Sequence, residues 1–325
     1  MRATRPFVVE TRAPRLVACD LDGTLLDSGG SLRPTVMAAV RAVRAAGVHV
    51  VLATGRSAWA ATEPATALGL DGPQIVMNGG AYVSPVSGEL VWTRQLASDV
   101  VIDALAFARG LGSQPFLGFL EGHACQRVPA GQHAMPDFVT GSRLRRVESL
   151  AELAGLGPIR VFIPTLRSEH ARTLAEATDW FGDRASIVYG DESGLEVMAP
   201  QTNKGHALRA VAAAMKLGRE QVAAIGDGPN DREMLDFAGH SAALLPMPGS
   251  ILVRGPILGT ATQVVPSSDH DGAVEALRRF FPDLELGLAR PRPMRAGSRP
   301  GHPGRRPDAP DWDDDPDPGM DLTAA

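Results

Sequence analysis

The chain has 325 residues, 44% of them hydrophobic and 21% charged, the proportions of a globular protein rather than a disordered or fibrous one. At about 150 residues per domain, it has room for about two domains with sizeable cores. Its 32 basic and 37 acidic residues leave a net charge of −5, which argues against a general nucleic-acid binder.

No apolar run reaches the roughly 18 residues that span a bilayer, and residues 1–10 lack the apolar stretch of a secretory signal. Cys19 and Cys125 make no disulfide framework and have no partner at metal-ligand spacing. The expectation is a cytoplasmic protein with neither membrane nor nucleic-acid partners.

In chain order, residues 1–14 read as a loose arm. The run 16–20 reads as a buried parallel strand. A helical pattern opens at Pro34, carries Val36, Val40 and Val43 on one face, and ends at Gly47. A second buried strand over 48–53, a helix over 57–68 and a third strand over 75–77 complete the βαβ rhythm of a parallel sheet.

From about Tyr82 the texture changes. Short hairpin-like runs at 81–83 and 89–93 lead to a helix over 98–109. Ser149 to Glu152 has the spacing of a capping box for another helix. A strand over 159–163, a helix over 168–181 and strands near 185–189 and 194–198 follow. Residues 82–195 therefore read as an inserted α+β domain.

The earlier rhythm returns with Thr202 as a candidate N-cap, an apolar stripe at Leu208, Val211, Ala212 and Met215, and Gly218 at the expected cap. A strand over 222–225, a helix after Asn230, weaker strands near 242–245 and 262–265 and a helix over 272–281 close the fold. The core is thus expected to be discontinuous, 15–81 plus 196–284. Residues 285–325 are rich in Pro, Arg and Asp and read as a disordered tail.

Four motifs fall at strand ends or helix starts, the edge where an open parallel sheet binds ligands. Asp20-Leu-Asp-Gly-Thr24 carries two carboxylates two residues apart, placed on one side if the chain is extended. An ionised Asp20 is a ready nucleophile, and Asp22 beside it suits general acid and base work. In Ala53-Thr-Gly-Arg56, the Thr54 hydroxyl and the backbone N–H groups around Gly55 suit an anion near a helix N-terminus. Lys204 lies in the first turn of a helix, an unfavourable place for a cation unless that end faces phosphate or carboxylates. Gly226-Asp-Gly-Pro-Asn-Asp231 offers Asp227, Asn230 and Asp231 as hard oxygen ligands suited to Mg²⁺. Together they describe an anionic nucleophile attacking a phosphoryl group whose charge is offset by Mg²⁺ and lysine.

With these residues the chain resembles the haloacid-dehalogenase (HAD) superfamily, and within it the Cof-type phosphatases. The secondary motifs Asn78-Gly-Gly80, Leu195-Glu-Val197 and Asp271-Gly-Ala-Val274 add to the likeness. The resemblance implies a Rossmann-like α/β core with an inserted α+β cap. It implies Asp20 as phosphorylated nucleophile and Asp22 as general acid/base. Mg²⁺ is implied at the Asp20 side chain, the Asp22 carbonyl and Asp227, with Asp231 in support. The Leu21 backbone, Thr54, Gly55, Lys204 and Asn230 are implied as phosphate contacts. The expected reaction is Mg²⁺-dependent hydrolysis of a small phosphorylated metabolite, with sugar phosphates ahead of cofactor phosphates. A sugar-phosphate mutase and a non-catalytic phosphometabolite-binding protein are the alternatives. The Asn-Ala pair usual in the family after the fourth motif is missing from residues 242–259.

Other residues carry plainer expectations. Cys19, Trp59 and Trp92 read as packing residues. His123 and His133 read as surface or loop histidines, and Arg143, Arg145 and Arg146 as a solvated face.

Overall fold

The computed structural model describes residues 13–127, 144–191, 194–246 and 255–286. Most of the N-terminal arm, His133, Arg143, the middle of the 242–259 loop and nearly all of the tail lie outside them. The described residues all belong to one unit, Met1–Leu288.

The chain enters through β1 (Leu16–Cys19), a π-type turn over Leu21–Leu25, α1 (Pro34–Ala45), β2 (His49–Leu52), α2 (Thr62–Leu68) and β3 (Gln74–Val76). The hairpin β4 (Ala81–Val83) and β5 (Leu90–Thr93) follows, then α3 (Ser98–Gly110), β6 (Phe116–Phe119), β7 (Gly122–Gln126) and β8 (Leu144–Val147). Next come β9 (Arg160–Pro164), α4 (His170–Phe181), β10 (Ser186–Asp191) and β11 (Gly194–Met198). The rest is α5 (Lys204–Ala214), β12 (Val222–Gly226), α6 (Arg232–Phe237), β13 (His240–Leu244), α7 (Gly255–Leu258), β14 (Gln263–Val265) and α8 (Gly272–Phe280).

A parallel five-stranded sheet in the order β14-β13-β12-β1-β2 forms the core. Alternate residues of each strand go to opposite faces. Val17, Cys19, Val50, Leu52, Ala223 and Ile225 pack with Val36, Val40 and Val43 of α1 and with α8. Leu16, Ala18, Val51, Val222 and Ala224 pack on the other face with α5 and α6. Covering on both sides explains why these strands read as unbroken apolar runs. Cys19 points into the α1 face, and burial, then the Asp20 charge, pushes its thiol up to about 12.

A second, six-stranded sheet has the order β10-β11-β9-β6-β7-β8. One face packs on α3 and α4 through Leu117, Val161, Leu195, Phe107 and Phe181. The hairpin β4–β5, read as part of the insert, instead pairs antiparallel with β3. A parallel bridge, Ala53 to Ile75, links β3 to the core sheet, and the Gln74 side chain accepts the Leu52 N–H beside it.

Several local expectations give way to the structure. Residues 151–156 form a 3₁₀ helix with no side-chain cap, so the Ser149 capping box does not form. Asn203 rather than Thr202 caps α5, its Oδ1 accepting the His206 N–H at 2.7 Å. Lys216 takes the left-handed conformation expected of Gly218, at φ +56°. Met215 is 37% exposed and Trp59 45%, so neither is core, whereas Trp92 packs on Tyr82 at 6.1 Å between ring centroids. Among the described residues, no helix is long and apolar enough to cross a membrane.

Candidate active site

Strands β1, β2 and β12 run parallel, so their carboxyl ends deliver Asp20, Thr54 and Asp227 to one edge of the sheet. At Leu21 the chain leaves the extended conformation, and Gly23 (φ +76°) turns it back over Asp227. A Cβ on Gly23 would overlap the Asp227 carboxylate. Gly23→Ala is therefore expected to displace Asp227, lower the melting temperature and reduce turnover. The cost is about 1–3 kcal/mol, the range of a strained backbone site, read by parallel melts and rates.

Asp20, Asp227 and Asp231 are all buried, and each can bring a carboxylate oxygen within 4.8 Å of the others. Lys204 enters the cluster from the first turn of α5, with no exposed side-chain surface. Its Nζ donates to Asp20 Oδ1 and Asp231 Oδ1, both at 2.7 Å. The first turn of α5 thus faces carboxylates, which offsets the unfavourable place of a cation there. Burial alone would lower the Lys204 pKa, but Asp20 and Asp231 overcome that and raise it.

Among the described residues, the three carboxylates gather round the Lys204 ammonium. Burial first, then Asp231, holds the Asp20 pKa well above its usual value despite Lys204. Asp231 is committed on both oxygens, since its Oδ2 accepts the N–H groups of Asp227 and Gly228 at 2.9 Å. Asp227 Oδ1 accepts from the Thr24 hydroxyl at 2.8 Å.

Asp22 is placed differently from Asp20. Because the chain turns at Leu21, its side chain is 58% exposed and forks with Arg56. Arg56 Nε reaches Asp22 Oδ2 at 2.9 Å and Nη2 reaches Oδ1 at 2.6 Å. These bonds raise the Arg56 pKa. Arg56 lies within a motif the sequence singled out, but nothing there showed its partner.

Thr54 is fully buried, its N–H donating to Ile75 O and its Oγ1 accepting from Arg56 N at 3.1 Å. No helix N-terminus lies here, because α2 begins only at Thr62. Asn230 Nδ2 donates to Asn78 Oδ1 at 2.9 Å. Asn78 sits at φ +52° in a tight turn beside Gly79 (φ +91°), where a Cβ would strike the Asn203 carbonyl. That turn therefore abuts the start of α5, where Lys204 enters.

His123 is not the surface histidine expected. It is 3% exposed on β7, its Nε2 2.9 Å from Arg160 Nη2, and burial, then Arg160, pushes its pKa down to about 3. Arg145 and Arg146 are exposed, as expected.

The sequence profile of haloacid dehalogenase-like hydrolases matches residues 17–277. The chain belongs to that family. The HAD fold is shared with a solved HAD subclass IIB sugar phosphatase at TM-score 0.68 and 19% identity, over 82% of this chain and 98% of that one. The parallel core with a cap is the architecture of the family. A putative phosphatase of Streptococcus pyogenes serotype M6 is 26% identical over 271 residues, 82% of this chain and 98% of the relative. The chloroplastic endoribonuclease YBEY of Arabidopsis thaliana is 24% identical over 276 residues. The chain spans 81% of itself but only 46% of that protein's length in this match.

Proposed function

We propose that this HAD-family hydrolase is a Mg²⁺-dependent phosphatase acting on a small phosphorylated metabolite, through an aspartyl-phosphate on Asp20. The observation that carries the reading is the buried pairing of Asp20 with Lys204 at 2.7 Å beside Asp227 and Asp231. Phosphatases among the relatives support it across most of the chain. Sugar phosphates are the proposed substrate class, by analogy with the sugar phosphatase of the same fold.

The donor set fits magnesium. Among the described residues it offers hard carboxylate oxygens, without histidine or thiolate. Asp20 and Asp227 would hold the ion together with the Asp22 carbonyl, while Asp231 orients Lys204 and the 227–228 backbone. Bound there, Mg²⁺ supplies positive charge to the phosphoryl oxygens as they approach the Asp20 carboxylate.

The chain's own residues do the rest. The Asp20 carboxylate forms the new bond to phosphorus as the ester P–O bond breaks, and Asp22 gives the departing oxygen its proton. Asp22 then takes a proton from the water that attacks phosphorus, and the P–O bond to Asp20 breaks to release orthophosphate. Arg56 must yield Asp22 for this work. Lys204, the Leu21 and Gly55 backbone, Thr54 and Asn230 steady the phosphoryl oxygens.

Residues 82–195 are proposed as the cap over a core of 15–81 and 196–284. Its first strands, the β4–β5 hairpin, pair with β3 and so join the cap to the core. A cytoplasmic location is part of the same proposal, supported by free, buried cysteines.

The test is phosphate release from a panel of sugar and cofactor phosphates, with Mg²⁺ and with chelator. Turnover is expected with Mg²⁺ and should fall about a hundredfold or more under chelation, for several kcal/mol of lost charge stabilisation. A folded protein that releases no phosphate from any compound, or releases it equally well under chelation, would overturn the reading.

A further inference from the structure

Arg160 and Glu196 stand on neighbouring strands β9 and β11 of the six-stranded sheet, 2% and 6% exposed. Arg160 Nη1 donates to Glu196 Oε1 at 2.5 Å and to the Gly55 carbonyl at 2.9 Å, while Nη2 meets His123 Nε2. Glu196 Oε2 accepts from Asn78 Nδ2 at 2.9 Å, and Asn78 Oδ1 accepts from Asn230. One buried ion pair of the second sheet thus reaches both loops proposed to hold phosphate.

The direction of these bonds matters. A guanidinium only donates and an ionised carboxylate only accepts. Nη1 therefore fixes the Gly55 carbonyl, and through the rigid peptide plane the Arg56 N–H that Thr54 Oγ1 accepts. With that bond received, the Thr54 hydroxyl proton is directed to another acceptor, which a phosphoryl oxygen supplies. Likewise Glu196 takes the NH₂ side of Asn78, turning its oxygen toward Asn230 and setting the Asn230 amide. Neutral His123 accepts from Arg160 through Nε2, so its own proton sits on Nδ1.

We propose that Arg160 and Glu196 are positioning residues that set the hydrogen-bonding sense of Thr54 and Asn230 for phosphate. The proposal rests on the phosphatase reading. Stability alone does not account for the pair, because an apolar pair of similar volume commonly holds a fold as well or better. An apolar pair has no means of orienting a carbonyl and two amides.

Two variants separate orientation from packing. Glu196→Gln keeps the shape but brings an NH₂ group, which lets Asn78 and Asn230 flip. The double variant Arg160→Met/Glu196→Leu keeps the site filled without polarity. Each is measured with Mg²⁺ on p-nitrophenyl phosphate, with orthophosphate inhibition, a thermal melt and Asp20→Asn as control.

Both variants are expected to lose about tenfold to a hundredfold in kcat, the scale of a 1 Å misplacement, and to bind orthophosphate correspondingly less well. The double variant should keep a cooperative melt. If Asp20→Asn is dead while either folded variant stays within about twofold of wild type in kcat and orthophosphate inhibition, well under the misplacement scale, the positioning role fails alone. If wild type itself releases no phosphate, the phosphatase reading fails and this proposal with it.

Discussion

Asp20→Asn is expected to abolish phosphate release while raising the melting temperature of the metal-free protein. The loss should be roughly 10⁴-fold or more, as when a nucleophile is removed from an otherwise intact site. An amide nitrogen and carbonyl cannot form the acyl phosphate, although the Asn carbonyl can still accept from Lys204. The stability change has the opposite sign. Folding raises the Asp20 pKa above its ordinary value of 3.8, because burial and Asp231 disfavour the charge. A raised carboxyl pKa means the folded state binds its proton more tightly than the unfolded state does. Stability from that proton is present at acid pH and is lost as pH climbs through the folded value. Near neutrality the buried Asp20 carboxyl is therefore a burden on folding, and Asn removes it. The melting-temperature gain should be largest at neutral pH in chelator and shrink toward pH 3.8. It should shrink again when Mg²⁺ is restored, since a bound cation relieves the same repulsion. Each 1 kcal/mol corresponds to about 2–4 °C for a domain of this size. A variant with near wild-type turnover would remove Asp20 from the chemistry. One that melts lower at neutral pH in chelator would contradict the charge argument.

How far the site was legible follows from how local each signal is. The parallel strands were readable because helices cover both faces, leaving runs such as Val222 to Ile225 without polar interruption. The catalytic-edge motifs were readable because strand ends and glycine turns are local, as at Gly23. Alternation does not reach Asp22, since the chain stops being extended at Leu21, and its partner, Arg56, lies 34 residues away. Thr202 and Asn203 are both good caps in isolation, and only the His206 N–H bond decides between them. His123 and Arg160 lay outside reach for a similar reason. Their meaning comes from Glu196 and Gly55, 36 and 105 residues from Arg160, brought together by the pairing of β9 with β6 and β11. Alternation along β7 did carry one signal: it sets His123 and Cys125 on the face opposite Ala124, which packs with α3.

Lys204→Met should produce the largest loss of stability of any single change in the site. The ammonium is fully buried and bonded to two carboxylates at 2.7 Å. A Met side chain fills much of the volume, so the cost is electrostatic: Asp20 and Asp231 lose the buried ammonium they share. Breaking a buried pair in this way costs about 3–5 kcal/mol, because the remaining charges stay buried and uncompensated. Lys204→Arg should rescue poorly, since a planar fork has no room where the enclosed ammonium meets two separate oxygens. Turnover should be lost along with stability, but the two respond differently to metal. Mg²⁺ at Asp20 and Asp227 would return part of the missing positive charge, so the variant's melting temperature should rise more with Mg²⁺ than that of wild type. Turnover should not return, because the phosphoryl group still lacks the lysine. The pH dependence also has a definite sign. The folded Lys204 pKa lies above its ordinary value of 10.5, so its contribution is complete below 10.5 and is lost as pH climbs toward the folded value. The gap between wild type and Lys204→Met should therefore stay wide from neutral pH to 10.5 and narrow only beyond it. A gap that is small at neutral pH, or that Mg²⁺ leaves unchanged, would mean that Lys204 does not balance the charge of this cluster.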